Sequence, residues 1–123
     1  MKKRALIIED ELNIANAETL ILSDEYDVHH ATDGDEGLRK AKEIKPHLII
    51  LDLMLPKRNG YDVCYHLRQE KSLKGTKIVM VTAKNQSLDE DKGMFIGADD
   101  YIAKPFSPEE LLHVVNQVMK DDI

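Results

Sequence analysis

The sequence predicts a doubly wound α/β fold: one parallel five-stranded sheet with helices on both faces. Three observations carry this. Five short apolar runs recur, "ALII", "VHHA", "HLIIL", "KIVMV" and "DYIA", and the longer segments between them have helical spacing. The runs at 5–8, 48–51 and 78–81 are apolar without period-two alternation, the pattern of parallel strands covered on both sides. Five such strand and helix units in series close most simply with right-handed crossovers into a single sheet.

In chain order, strand 5–8 runs into the acidic residues Glu9, Asp10 and Glu11. The helix after it carries Ile14, Ala17 and Ile21 at steps of three and four, which reads as its buried stripe. In "VHHA", His29 and His30 are neighbours on a strand and point to opposite faces, so they do not chelate one ion together. Segment 87–96, "SLDEDKGMFI", is a weak helix: Gly93 loosens its interior, and Leu88 and Phe95 leave a thin apolar stripe, so it is expected to be the most mobile element. The last helix has the clearest start. Ser107 can cap it, Pro108 suits the first helical position, and Glu110 stands where a capping box wants a carboxylate. Its core side is Leu111, Val115 and Val118, widened by Leu112 and Met119.

At 123 residues the chain suits one domain, 1–123, with a core of ordinary size. The apolar share of 42% and charged share of 33% fit a globular protein, and no run approaches the roughly 20 apolar residues that span a bilayer. The opening "MKKRALIIEDE" reaches acids too soon for a secretory signal, so a cytoplasmic protein is expected. Cys64 is the only cysteine, which excludes an internal disulfide and suits a reducing compartment; nothing resembles a zinc ligand set. A net charge of -6 disfavours direct binding to nucleic acid or to an anionic membrane, and "KKR" reads as a solvated end. There is no internal repeat or low-complexity tract.

Ligands of doubly wound sheets bind beyond the carboxyl ends of the strands, where strand order reverses. The residues closing the runs are Glu9, Asp10 and Glu11, then Asp52, Thr82 and Lys104, all polar or charged. If the first and third strands are adjacent, Asp10 and Asp52 share a crevice; two such charges about 4 Å apart repel by roughly 4 kcal/mol at an effective dielectric of 20. A divalent cation relieves this best. Mg²⁺ in particular is held by one or two carboxylates and takes further ligands from phosphate. Asp52, set within the apolar "LIILDLMLP", is then a candidate phosphoryl acceptor, with Lys104 and Thr82 of the right types to meet the phosphoryl oxygens. Taken singly, each has a plainer explanation: a turn cap for Asp52, a helix-start acid for Asp10, a β-branched strand end for Thr82, a solvated loop residue for Lys104. Their convergence points to chemistry.

In combination and order, the "ED" pair at Glu9 and Asp10, "LDLMLP" with Asp52, "PKRNG" ending at Gly60, "VTA" with Thr82 and "GADDYIAKPF" with Tyr101 and Lys104 resemble the receiver domains of two-component response regulators, over essentially the whole chain. The resemblance implies a flavodoxin-like (βα)5 sandwich with strand order 2-1-3-4-5. It implies that Asp52 accepts a phosphoryl group from a sensor histidine kinase, a histidine phosphotransfer protein or a small acyl phosphate. Mg²⁺, for which Mn²⁺ can substitute, would be held by Asp10, Asp52 and the Met54 carbonyl, with Glu9 acting through water. It implies a switch as well: Thr82 is drawn to the phosphoryl group, Tyr101 turns into the space vacated, and the face formed by segment 87–96, the fifth strand and the last helix changes shape. A cis Lys104–Pro105 bond, a downstream output domain or target protein, and a monomer or weak phosphorylation-dependent dimer follow from the same likeness. For dimer pairing on that face, Asp99 and Asp100 match the acidic half of the family's pattern, while "LLHVVNQV" offers no Arg or Lys before Lys120. Met54 and Lys84 are expected to flank the phosphoryl group and tune its lifetime.

On this reading the chain catalyses its own phosphorylation and dephosphorylation and is not a turnover enzyme. An aspartyl-phosphate phosphatase of the haloacid dehalogenase type wants a second Asp where Met54 stands. A flavin carrier wants a hydroxyl- and glycine-rich loop where Glu9 to Glu11 stand. The remaining alternative is a phosphorylation-independent interaction module of the same fold. Ending at "KDDI", the chain reads as a stand-alone receiver or one separated from its output domain.

Overall fold

The computed structural model describes residues 2–83 and 97–120. In chain order the elements are β1 (Lys3–Ile8), α1 (Leu12–Leu22), β2 (Tyr26–Ala31), α2 (Gly34–Ile44), β3 (Leu48–Asp52), α3 (Gly60–Gln69), a 3-10 turn (Lys71–Leu73), β4 (Lys77–Ala83), β5 (Asp100–Lys104) and α4 (Pro108–Met119). The strands form one parallel sheet ordered β2-β1-β3-β4-β5. The expected order is therefore present. Segment 87–96 and Lys84 lie outside the described residues.

Alternate residues of each strand serve opposite faces. Leu6, Ile8, Ile49, Leu51, Ile78 and Met80 pack with Val63, Cys64 and Leu67 of α3 and Ala41 of α2. Ala5, Ile7, Leu48, Ile50, Val79, Val81 and Ile102 pack with Ala15 and Leu22 of α1 and with Leu111, Val115 and Val118 of α4. Apolar layers on both faces of the sheet explain why the central strands read as unbroken apolar runs. Helix α4 begins as its sequence demands: Ser107 accepts from the Glu110 N–H at 3.1 Å, and Glu110 accepts from the Ser107 N–H at 2.9 Å.

Helix α1 departs from its expected orientation. Its buried residues are Ala15, Glu18 and Leu22; Ile14 and Ile21 are half-buried, and Ala17 is exposed. Both sets satisfy helical spacing, so periodicity does not distinguish them. Packing on the sheet seats the set containing a carboxylate.

Candidate functional site

The carboxyl ends of β1, β3, β4 and β5 lie side by side, and the order reverses between β1 and β3, where a crevice opens. At that crevice Asp52 closes β3 and is 4% exposed. The chain turns back at once: the Gly60 N–H donates to the Leu53 carbonyl at 2.8 Å. A Cβ on Gly60 would stand 2.6 Å from Leu53 Cα and 2.7 Å from the Asp52 carbonyl oxygen. Only glycine permits this approach, so "PKRNG" brings the start of α3 directly onto the end of β3. Asn59 caps α3 by accepting from the Asp62 N–H at 2.9 Å.

Asp52 is held at both oxygens. Its Oδ1 accepts from the Met54 N–H at 3.1 Å, and its Oδ2 accepts from Lys104 Nζ at 3.3 Å. The same ammonium lies 3.0 Å from Glu9 Oε1 as an ion pair. Glu9 is 1% exposed, and its Oε2 accepts from the Glu11 N–H at 3.1 Å. Burial pushes the Glu9 carboxyl up to about 7; the Glu11 N–H and Lys104 pull it down, and the Asp52 charge raises it further. For Lys104, burial favours the neutral amine, but Glu9 and Asp52 outweigh this and hold its pKa above the ordinary lysine value. Asp10 is exposed at the mouth of the crevice.

Glu9, Asp10 and Asp52 each offer a carboxylate oxygen, and these oxygens lie within 4.8 Å of one another. Three hard oxygen donors beside one another, with a single ammonium between two of them, form a donor set that fits Mg²⁺ or Mn²⁺. The Glu9 backbone is anchored from below, where its carbonyl accepts from His30 Nε2 at 2.7 Å.

The remaining expected residues occupy the adjoining strands. Thr82 is buried near the end of β4, one residue beyond Val81, the partner of Asp52 across the sheet; its hydroxyl donates to the Ala83 carbonyl at 3.2 Å. Tyr101, half-buried on β5 opposite Met80, packs against the α2 and α3 side of the core. Met54 is 62% exposed beside the site. The Lys104–Pro105 peptide bond is cis.

Two features escaped the sequence reading. Asp99, expected on an interaction face, serves within the molecule: its Oδ2 accepts from Arg68 at 2.7 Å and from the Ile78 N–H at 2.7 Å, while Arg68 also donates to the Gly97 and Thr76 carbonyls. Glu18 lies buried in α1 with neither oxygen hydrogen-bonded among the described residues. Its one sequence signal was a charge amid the stripe formed by Ala15 and Leu22.

The family model for the response regulator receiver domain matches residues 5–116. The alkaline phosphatase synthesis transcriptional regulatory protein PhoP of Bacillus subtilis is 44% identical over 121 residues, covering 98% of this chain and 50% of that protein. The chain thus spans about half the length of such relatives. Among solved structures, the chemotaxis protein CheY4 of Vibrio cholerae is 30% identical with a TM-score of 0.89, covering 96% of this chain and 99% of that one. The receiver domain of a Pseudomonas aeruginosa sensor histidine kinase, described with a magnesium ion coordinated in its active-site cleft, is 25% identical with a TM-score of 0.87, covering 98% and 99%.

Proposed function

This chain belongs to the response regulator receiver domain family, and from that premise we propose that residues 1–123 form a phosphoacceptor unit in which Asp52 takes a phosphoryl group from the phosphohistidine of a sensor histidine kinase or histidine phosphotransfer protein. The observation that carries this reading is the meeting of Asp52 with Lys104, Glu9 and Asp10 at one crevice. An Asp52 oxygen bonds to phosphorus as the bond to the donor imidazole nitrogen breaks. The Met54 N–H on Oδ1 orients the carboxylate, and the Lys104 ammonium neutralises charge on the equatorial oxygens. Glu9, Asp10, Asp52 and the Met54 carbonyl would hold Mg²⁺, which when bound neutralises further charge on those oxygens.

After transfer, the Thr82 hydroxyl exchanges the Ala83 carbonyl for a phosphoryl oxygen, and Tyr101 follows by repacking on β5. The face around β5 and α4 then presents a new shape to an output domain or target protein. The unit catalyses its own phosphorylation and dephosphorylation and turns over no external substrate. It binds neither nucleic acid nor membrane itself, in keeping with its charge of -6. Among the described residues no helix is long and apolar enough to cross a membrane. The working location is the cytoplasm, and the working form a monomer or a weak phosphorylation-dependent dimer.

The test is incubation with Mg²⁺ and acetyl phosphate followed by intact mass. One added phosphoryl group, absent from Asp52→Asn and without the metal, supports the reading. No modification of the native chain would favour a phosphorylation-independent module instead.

A further inference from the structure

The ladder between β1 and β2 ends at the pair Ile8 and Ala31. One further bond follows, from the Glu9 N–H to the Ala31 carbonyl at 3.0 Å. In a continued parallel ladder the Asp33 N–H would serve the Glu9 carbonyl next. The chain has turned away by then: Thr32 donates its N–H to Glu36 at 2.7 Å, and Asp33 caps α2 by accepting from the Glu36 N–H at 2.9 Å. The donor that reaches the Glu9 carbonyl is the side chain of His30, through Nε2 at 2.7 Å. A carbonyl only accepts, so Nε2 carries the hydrogen. The imidazole thus takes the place of a missing backbone N–H.

That bond acts on more than Glu9. The Glu9 carbonyl and the Asp10 N–H belong to one planar peptide unit, so the imidazole orients the link between two of the three acids whose oxygens lie within 4.8 Å of one another. With the Glu9 N–H held by Ala31 and its carbonyl by His30, the directions in which the Glu9 and Asp10 side chains leave the backbone are set before a cation arrives. His30 is itself held. It is half-buried on β2 opposite Ile7, and its carbonyl accepts from Lys40 of α2 at 2.5 Å.

We propose that His30 is a positioning residue for the divalent-cation site. The proposal rests on the reading of Glu9, Asp10 and Asp52 as Mg²⁺ ligands, and adds to it a residue that supplies no ligand atom. Carboxylates already aimed lose less freedom when the ion binds, so the bond is read as affinity; hydrogen-bonded neighbours of metal ligands typically contribute about 10–100-fold. The bond needs a donor at Nε2 and not a charge.

The test is calorimetric titration with Mg²⁺ of the native chain and three variants. His30→Leu and His30→Val remove the donor, the second with a residue favoured in strands; His30→Gln keeps an N–H at a similar reach. Amide NMR of each metal-free variant establishes that it is folded. Both donor-less variants should bind Mg²⁺ about tenfold more weakly, and His30→Gln should stay within about threefold of the native chain. A histidine that merely completes the sheet edge would change the urea midpoint and leave the Mg²⁺ affinity of the folded chain unmoved. Native affinity in a folded donor-less variant, or a loss in His30→Gln as large as in His30→Leu, would overturn the proposal and leave the metal site standing. A native chain that binds no Mg²⁺ would overturn the proposal and the metal site together.

Discussion

Lys104 and Asp52 meet at 3.3 Å across a strand that belongs to neither: β4 lies between β3 and β5, and the lysine reaches over its end to the carboxylate. The reach places a cation 52 positions away in sequence beside the acceptor. Replacing Lys104 with Ala leaves Asp52 and Glu9 without their ammonium. Phosphorylation by acetyl phosphate should slow by about 100-fold, the usual consequence of losing one charge-stabilising donor, as read by the rate of mass gain at fixed Mg²⁺. Binding of Mg²⁺ itself should persist, since the three carboxylates remain.

Gly60 tests the backbone that carries Asp52. Gly60→Ala drives a methyl group into Leu53 Cα and the Asp52 carbonyl. Helix α3 must then lift from the end of β3. A loss of about 1–3 kcal/mol in urea unfolding is expected, together with slower phosphorylation, because a displacement of roughly 1 Å at a reacting group can cost 100-fold.

The two buried acids give stability a distinctive pH dependence. Glu9 is raised to about 7 and Glu18 to about 8, above the ordinary 4.5. Between pH 5 and 8 the folded chain therefore holds protons that the unfolded chain has released. In metal-free buffer these two groups therefore make stability fall as pH rises through this range. Half-buried Asp33 and Glu36, lowered by the Glu36 and Thr32 N–H groups respectively, act in the opposite sense and only at more acidic pH. Urea midpoints for Glu18→Leu should fall less steeply between pH 5 and 8, and the variant should exceed the native chain in stability at pH 8.

Arg68 is the fastener between α3 and the starts of β4 and β5, through Thr76, Gly97 and Asp99. Arg68→Met keeps the hydrocarbon stem and removes three hydrogen-bonded contacts. Because the pair is part-exposed, a loss of about 2–3 kcal/mol is expected, measured by thermal or urea unfolding. The intact crevice should still take a phosphoryl group at low temperature.

The parts of this fold that were legible in the sequence are those governed by local pattern. Unbroken runs such as "HLIIL" mark strands covered on both faces, and Ser107, Pro108 and Glu110 announce the start of α4. The candidate site was legible because polar residues stand at or next to the ends of β1, β3, β4 and β5, and the topology gathers those ends at one edge. What sequence pattern could not supply is helix rotation and long-range pairing. Ile14, Ala17 and Ile21 fit a buried stripe as well as Ala15, Glu18 and Leu22 do, and the sheet chose the latter. Asp99 read as a surface charge because its partner Arg68 is 31 positions away and on another element.

The most direct measurement locates the phosphoryl group itself. After phosphorylation with acetyl phosphate and Mg²⁺, borohydride reduction converts an aspartyl phosphate to homoserine, and peptide sequencing by mass spectrometry reads its position. Homoserine at residue 52 alone is the expected result. Homoserine at Asp10 or another acid, or a phosphoryl group retained on a histidine or hydroxyl side chain, would contradict Asp52 as the acceptor.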